Sequence, residues 1–156
     1  MPYLAPIGTD LGCWATPQHW AGRGRRRRQH SRRGTRRPAY AADVDVAEID
    51  VSFTGIDGIG YEGVGFAERF GGYELVEAEV TRVGGALPVN PSGGPKTKGH
   101  PLGATGVAQC VELFAQLRGE AVNQVDGARV ALARDISGPT AVSAVTILEG
   151  PANGAG

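Results

Sequence analysis

Apolar and polar residues alternate in three stretches of this chain and follow a helical period in a fourth. Val44, Val46, Ile49, Val51 and Phe53 form a partly alternating apolar pattern with acids between them, which predicts a strand with one buried face. Ala128–Arg134 and Ala141–Leu148 alternate as two further strands, and their connection through Asp135-Ile-Ser-Gly-Pro139 predicts a hairpin. Val107, Cys110, Val111, Phe114 and Leu117 fall at helical spacing, while Gln109, Glu112 and Gln116 share the opposite stripe. This helix is expected to begin near Thr105 and to close at Arg118-Gly119, a cation followed by a C-terminal glycine. Ala104, Ala108 and Ala115 narrow it, so it can lie close to a neighbour. Cys110, on the apolar stripe, is expected as a buried core thiol.

The middle of the chain is less regular. Thr54–Phe70 has helical length and apolar spacing through Ile56, Ile59, Val64 and Phe66. Gly55, Gly58, Gly60, Gly63 and Gly65 interrupt it, and each costs about 1 kcal/mol relative to alanine in a helix interior. A complete straight helix is therefore not expected. Gly71-Gly72 break the segment, Tyr73–Val83 reads as an extended or hairpin excursion, and Gly84-Gly85 turn it toward a short strand, Leu87-Pro-Val-Asn90.

Composition divides the chain in two. Its 156 residues suffice for one domain with a core, and its formal charge is zero. Yet residues 1–40 hold nine arginines against the single acid Asp10, a net +8, and residues 41–156 carry −8. The run from Arg23 to Pro38 is too charged to pack and reads as disordered. Clustered arginines bind phosphates, so a nucleic-acid arm is one reading; an arginine-rich targeting segment is another. A third weighs more: arginine, glycine and proline together are what GC-rich DNA gives in the wrong frame, so a segment foreign to the fold is expected, ahead of a passive disordered tail. The expected division is residues 1–40 as a disordered arginine-rich segment, 41–149 as the folded domain and 150–156 as a tail. No apolar run spans a membrane and the start lacks a signal-peptide core, so a cytoplasmic location is expected. Cys13 and Cys110 form no framework or metal spacing and read as free thiols; no metal is expected.

Candidate chemistry gathers between Leu87 and Gly106. Asn90-Pro91 and Gly93-Gly94 read as a tight turn, and Gly99 and Gly103 flank His100-Pro101, so the backbone there can approach a ligand closely. A histidine at a helix entrance can offer a ring nitrogen to a developing oxyanion or take a proton from a nucleophile. Taken alone, it can equally be a structural hydrogen-bonder.

The whole word Gly99-His-Pro-Leu-Gly-Ala-Thr-Gly106, preceded by Asn90-Pro-Ser-Gly-Gly94, resembles the histidine loop of thiolases, enzymes that make or cleave 3-ketoacyl-CoA thioesters. The proline after the histidine distinguishes it from ketoacyl synthases, and Tyr61-Glu62 and Gly65-Phe66 resemble the lipid-transfer branch. The likeness runs with interruptions from about Asp43 to Glu149. It implies an α/β fold: an incomplete thiolase-like C-terminal half, a mixed sheet with a buried helix after the Gly-His-Pro loop. It also implies an acyltransferase of the acetyl-CoA acetyltransferase type in lipid, fatty-acid or sterol metabolism. His100 would activate the nucleophile and line the oxyanion site, with Asn90, Gly94, Gly99 and Gly103 shaping its substrate-binding loop. A coenzyme A thioester would be the substrate, with no bound cofactor.

Two parts of the family's chemistry have no counterpart here. The nucleophilic cysteine belongs to the first half, which the resemblance does not cover. The second cysteine's loop corresponds to Asp135-Ile-Ser-Gly-Pro, without a thiol. The lipid-transfer branch carries a His-Asp-Cys-Phe word where this chain has Asp50-Val-Ser-Phe53, so Ser52 takes the place of an acid/base cysteine. Asp50 puts an acceptor where the family has a donor. The resemblance further implies that a strand preceding Val44 lies mid-sheet, so that its absence leaves a gap with unpaired edges. A chain without independent turnover, paired with itself or another thiolase-like chain, is the expected state. A non-catalytic subunit and a nucleic-acid binder are the alternatives, and nucleic acid is not the expected partner.

Overall fold

The computed structural model describes residues 3–4, 41–137 and 142–150. The arginine-rich run with its possible roles, Cys13 and the 151–156 tail lie outside the described residues. A sheet in the order β1-β4-β3-β2 forms the centre. Strand β2 (Val46–Ile49) runs parallel to β3 (Val130–Ser137), with Val46 opposite Ala131, and β3 runs antiparallel to β4 (Val142–Glu149). The two-residue β1 (Tyr3–Leu4) pairs antiparallel with Leu148 and Glu149 at the end of β4. No strand period marks residues 1–40; β1 forms through backbone pairing, which needs no side-chain pattern.

Three expectations about the sheet change. The anticipated central gap does not exist, because β2 hydrogen-bonds directly to β3 along its whole length. The hairpin is present, but Asp135, Ile136 and Ser137 belong to β3, opposite Ala144, Ser143 and Val142, rather than to the connection. Leu87–Asn90 makes a single parallel bridge, Ala47 with Val89, instead of a strand. Pro88 has no N–H to give, so that bridge rests on Ala47 N–H to Pro88 O and Asn90 N–H to Ala47 O.

Successive strand residues point to opposite faces, and helices cover both. Ala47, Ile49, Val51 and Leu132 pack with Tyr61 and Val64 around α1 (Asp57–Gly63). Val46, Ala131, Ala133 and Leu148 pack with Leu113 and Leu117 of α4 (Thr105–Arg118). Ile49, Leu113 and Leu132 are fully buried, each contributing about 2 kcal/mol from the water its side chain leaves. Strand β2 is thus buried on both faces, not one: Glu48 and Asp50, on the α4 side, are 0% and 1% exposed.

Two of the glycines that break up residues 54–70, Gly58 and Gly60, sit in tight packing, the first 2.7 Å from the Tyr73 ring for an added methyl. A 3₁₀ turn at Thr54–Ile56 leads into α1, which stops at Gly63. A methyl on Gly60 would stand 3.3 Å from both Ile49 and Val51, and one on Gly63 would stand 3.5 Å from the Arg134 guanidinium. Gly60 thus sits tightly against the sheet, while a methyl at Gly63 would make ordinary contact with Arg134. The excursion expected after Gly72 is instead a helix, α2 (Gly72–Glu77). Its start is fixed by long-range bonds, Gly72 N–H to Glu62 Oε1 at 3.2 Å and Tyr73 O–H to Gly55 O at 2.8 Å, and Leu75 packs on the core.

Helix α4 begins at Thr105 and closes at Gly119, whose φ of 74° is the left-handed C-terminal conformation. Its orientation reverses the expectation. Gln109, Gln116, Leu113 and Leu117 face the sheet, while Val107, Val111 and Phe114 are 66%, 64% and 41% exposed. Gln109 donates to Arg134 O, and Gln116 bonds Asn123 O and Val125 N–H, so the polar stripe is satisfied largely by backbone. Cys110 is half-buried beside the Leu113–Leu117 cluster. Among the described residues, no helix is long and apolar enough to cross a membrane.

Gly72 and Gly55 separate packing from propensity. A Cβ on Gly72 would run into the Gly58 carbonyl, whereas Gly55 faces open space. Gly72→Ala should lose about 2–3 kcal/mol in urea unfolding, by overpacking against backbone, while Gly55→Ala should be neutral or slightly stabilising. Equal effects would place the cause in backbone propensity instead.

Candidate active site at the His100 loop

Asn90 anchors the loop. Its φ of 54° is left-handed, and its side chain does the work of a strand neighbour: Oδ1 accepts Ile49 N–H at 2.8 Å while its own N–H reaches Ala47 O. Gly93 returns an N–H to Asn90 O, and a methyl on Gly94 would stand 3.1 Å from the Asn90 side chain. The turn then winds into a single helical turn, α3 (Gly94–Lys98), with Pro95 at its start, where a missing N–H costs nothing.

Glu48 ties α3 to the sheet from beneath. Its Oε1 accepts Ser92 N–H at 3.2 Å, and Lys98 Nζ lies 3.5 Å from Oε2 and donates to Ser92 Oγ at 2.8 Å. Burial still dominates and raises the Glu48 carboxyl above its ordinary range, against the lowering effects of Ser92 and Lys98.

Beyond α3 the chain passes Gly99 (φ 91°), His100, Pro101 and Gly103 (φ 81°) into α4. Thr105, the first residue of α4, places Oγ1 2.9 Å from His100 Nδ1 and 3.3 Å from Pro101 O. The single hydroxyl proton of Thr105 goes to Pro101 O, so Nδ1 carries the ring proton and donates to Oγ1. This tautomer is assigned from the hydrogen-bond network and agrees with Asp50 Oδ1 lying 3.8 Å from Nδ1. It leaves Nε2 as the basic nitrogen of a ring that is 30% exposed.

Ser52 meets the same carboxylate: its Oγ donates to Asp50 Oδ1 at 3.3 Å. Asp50 Oδ1, just after β2, is thus near both Ser52 and His100. Asp135 joins them from β3. Its carboxylate packs on the first turn of α4, where a methyl on Gly106 would stand 2.7 Å from Oδ2. Burial and the Asp50 charge push the Asp135 carboxyl up, and the Ile136 N–H and His100 pull it back. Cys110, one helical turn on, is not an activated thiol: burial and Asp135 push its thiol up, away from the thiolate.

Sequence reasoning named Asn90, Gly94, Gly99, His100, Gly103 and Ser52. The structure brings His100 and Ser52 to the same Asp50 oxygen, sets Asn90 and Gly94 in the anchoring turn, and leaves Gly99 and Gly103 exposed with no atom near their missing side chains. It adds Asp135, Glu48 and Gln109. Asp135 was legible in principle, since Ala131, Ala133 and Asp135 keep period two once β3 runs to Ser137. Glu48 and Gln109 carried no signal, because polar residues on an apolar pattern read as solvent-facing.

The family model described as thiolase C-terminal domain-like matches residues 28–150. An acetyl-CoA acetyltransferase of Methanothermobacter thermautotrophicus is 49% identical over 83 residues, covering 53% of this chain and 22% of that protein. Sterol carrier protein 2 of Bos taurus is 59% identical over 66 residues, covering 42% of this chain and 12% of that protein. Among solved structures, the Ltp2-ChsH2(DUF35) aldolase aligns with a TM-score of 0.60 at 24% identity, over 69% of this chain and 27% of that one, a likeness of fold. The chain therefore spans well under a third of each of these relatives.

The raised Glu48 carboxyl sets a pH signature. A group whose folded pKa lies above its unfolded value makes stability fall as pH rises, here from the ordinary 4.5 upward. Glu48→Gln should match wild type near pH 4 and melt at a higher temperature than wild type near pH 8. An advantage that shrinks with rising pH would show that Lys98 and Ser92 outweigh burial.

Proposed function

The chain belongs to the thiolase C-terminal domain-like family, and on that premise we propose that it supplies the histidine half of an acyl-CoA site whose nucleophile comes from another polypeptide segment. The carrying observation is the placement of His100: Thr105 Oγ1 lies 2.9 Å and Asp50 Oδ1 3.8 Å from Nδ1, and with the ring proton assigned to Nδ1 the basic nitrogen is Nε2. In that role Nε2 takes the proton of a cysteine nucleophile, and the resulting imidazolium donates to the oxygen that becomes negative as the thioester carbonyl is attacked. The substrate class, a coenzyme A thioester in lipid metabolism, rests on the acetyl-CoA acetyltransferase and sterol carrier protein relatives.

The described residues lack the rest of the machinery. Burial and Asp135 push the Cys110 thiol up, away from a nucleophilic thiolate, and the Ser52 hydroxyl donates to the Asp50 carboxylate rather than to a histidine. The exposed Val107, Val111 and Phe114 stripe supports a partner: a further thiolase-like layer, from a second copy or a related chain, would cover it. The chain alone is then inactive.

Thiolysis of a 3-ketoacyl-CoA by coenzyme A, followed through the loss of enolate absorbance, tests this. The chain alone should show no turnover. Mixed with a thiolase-like chain that bears a nucleophilic cysteine but lacks its own histidine loop, it should show turnover that falls at least 100-fold in His100→Ala, as for a lost general base. Phe114→Ser should weaken the pairing and leave the fold intact. Turnover unaffected by His100→Ala would favour a second reading, a non-catalytic subunit, toward which the carboxylates around His100 already lean.

A further inference from the structure

Strand β4 has an outer edge that β1 covers only at one end, and the ladder shows which of its backbone groups face outward. Asp45 N–H and Asp50 N–H reach Val130 O and Arg134 O, so alternate residues of β3 from Val130 onward turn toward β2. Ala131, Ala133 and Asp135 then turn toward β4, where their partners are Leu148, Thr146 and Ala144. Gly150 N–H donates to Arg129 O, which keeps the same alternation at the end of the strand. The N–H and C=O groups of Ser143, Val145, Ile147 and Glu149 therefore point away from β3. Glu149 lies opposite Tyr3 of β1, and among the described residues no strand lies opposite the other three.

Free edges are ordinarily defended by charges, prolines or bulges. Val142-Ser-Ala-Val-Thr-Ile-Leu148 carries no charge, no proline and no glycine, and Val142, Val145, Thr146 and Ile147 are β-branched residues that favour extended pairing. Val142, Ser143 and Ala144 are exposed. The edge is taken by β1 in the antiparallel sense. A charged peptide would find nothing along it to pair with, whereas the same edge of a second copy matches it. Turned about a two-fold axis at Ala144, Ser143 of each copy stands opposite Val145 of the other, and both residues have outward N–H and C=O groups to exchange. Val142 then stands opposite Thr146, and the pairing stops short of Leu148 and Glu149, where β1 lies. The formal charge of the chain is zero, so two copies meet without long-range repulsion.

We infer that two copies of this chain join edge to edge through β4, antiparallel and centred on Ala144, into one continuous sheet. Pairing over so few residues buries less than the roughly 1,200 Å² at which stable interfaces begin, so the dimer exchanges with monomer. The contact is made by a sheet edge and is separate from the Val107, Val111 and Phe114 stripe of α4. It needs no acyl-CoA chemistry and stands if the thiolysis experiment fails.

Sedimentation of the full chain over a concentration series should show monomer passing into dimer. Ser143→Pro removes an outward N–H and leaves the β3 ladder its bonds, so it should raise the dissociation constant about tenfold or more. Ser143→Ala, which loses only the hydroxyl that Arg134 Nε meets, should stay within about threefold of wild type. Ala144→Lys keeps every backbone bond but sets two ammonium groups face to face at the axis, so it should remain monomeric even if the proline variant fails to fold. Disulfide trapping reads the register. In a Cys13→Ser, Cys110→Ala background, Ala144→Cys should cross-link two copies on mild oxidation, and Thr146→Cys, which faces Val142 of the other copy, should not. Monomer at every concentration, a dimer unmoved by both Ser143→Pro and Ala144→Lys, cross-linking by Thr146→Cys in preference to Ala144→Cys, or a dimer abolished by Phe114→Ser would each overturn the pairing.

Discussion

Helix α4 meets the sheet through amide and carboxylate groups as much as through hydrocarbon, and that contact governs the molecule. Leu113 and Leu117 supply the apolar part against Val46, Ala131 and Ala133. Beside them Gln109 bonds a β3 carbonyl, Gln116 stitches the segment after α4, and Glu48 and Asp50 stand buried on β2. Hydrocarbon packing tolerates small rotations of a helix, but directional bonds to the backbone do not. Gln109 and Gln116 therefore fix the rotation of α4. Once that is fixed, Thr105 points at His100, Gly106 faces Asp135, and Val107, Val111 and Phe114 face away.

The loop before α4 is held from the other end by a similar device. Asn90 replaces a strand's worth of pairing with one side chain, and Glu48 holds Ser92 and Lys98 from below. Between these anchors the chain needs left-handed conformations at Asn90, Gly93, Gly94, Gly99 and Gly103, four of them at glycines that adopt them without strain. The histidine so mounted meets Thr105 and Asp50 at Nδ1, and its ring is 30% exposed. The carboxylates nearby tell against simple oxyanion stabilisation by this segment alone. Asp50 and Asp135 raise the negative potential around His100.

Helix α4 buries leucines and glutamines together on one face and leaves Val107, Val111 and Phe114 exposed on the other. The family match covers residues 28–150, and the chain spans 22%, 12% and 27% of the relatives compared with it.

Local chemistry settled a good deal from the sequence alone. The ends of α4, the β3–β4 hairpin, the broken helix after Thr54, and the glycine-flanked turn at Asn90 all follow from residues within a few positions of one another, where φ preferences and alternation act directly. The likeness of Gly99–Gly106 to a histidine loop was equally a matter of contiguous residues. What needed the tertiary structure was every choice between two faces or two partners. Whether the polar or the apolar stripe of α4 turns inward depends on Arg134 O and Val125 N–H, 25 and 9 residues from the glutamines that meet them. Tyr73–Glu77 becomes helix because Gly55 and Glu62 capture its start. Asp135 becomes part of the site because pairing with β4 extends its strand by three residues. A polar side chain is cheap in water and stable when buried if a distant partner meets it, and a sequence records the side chain without the partner.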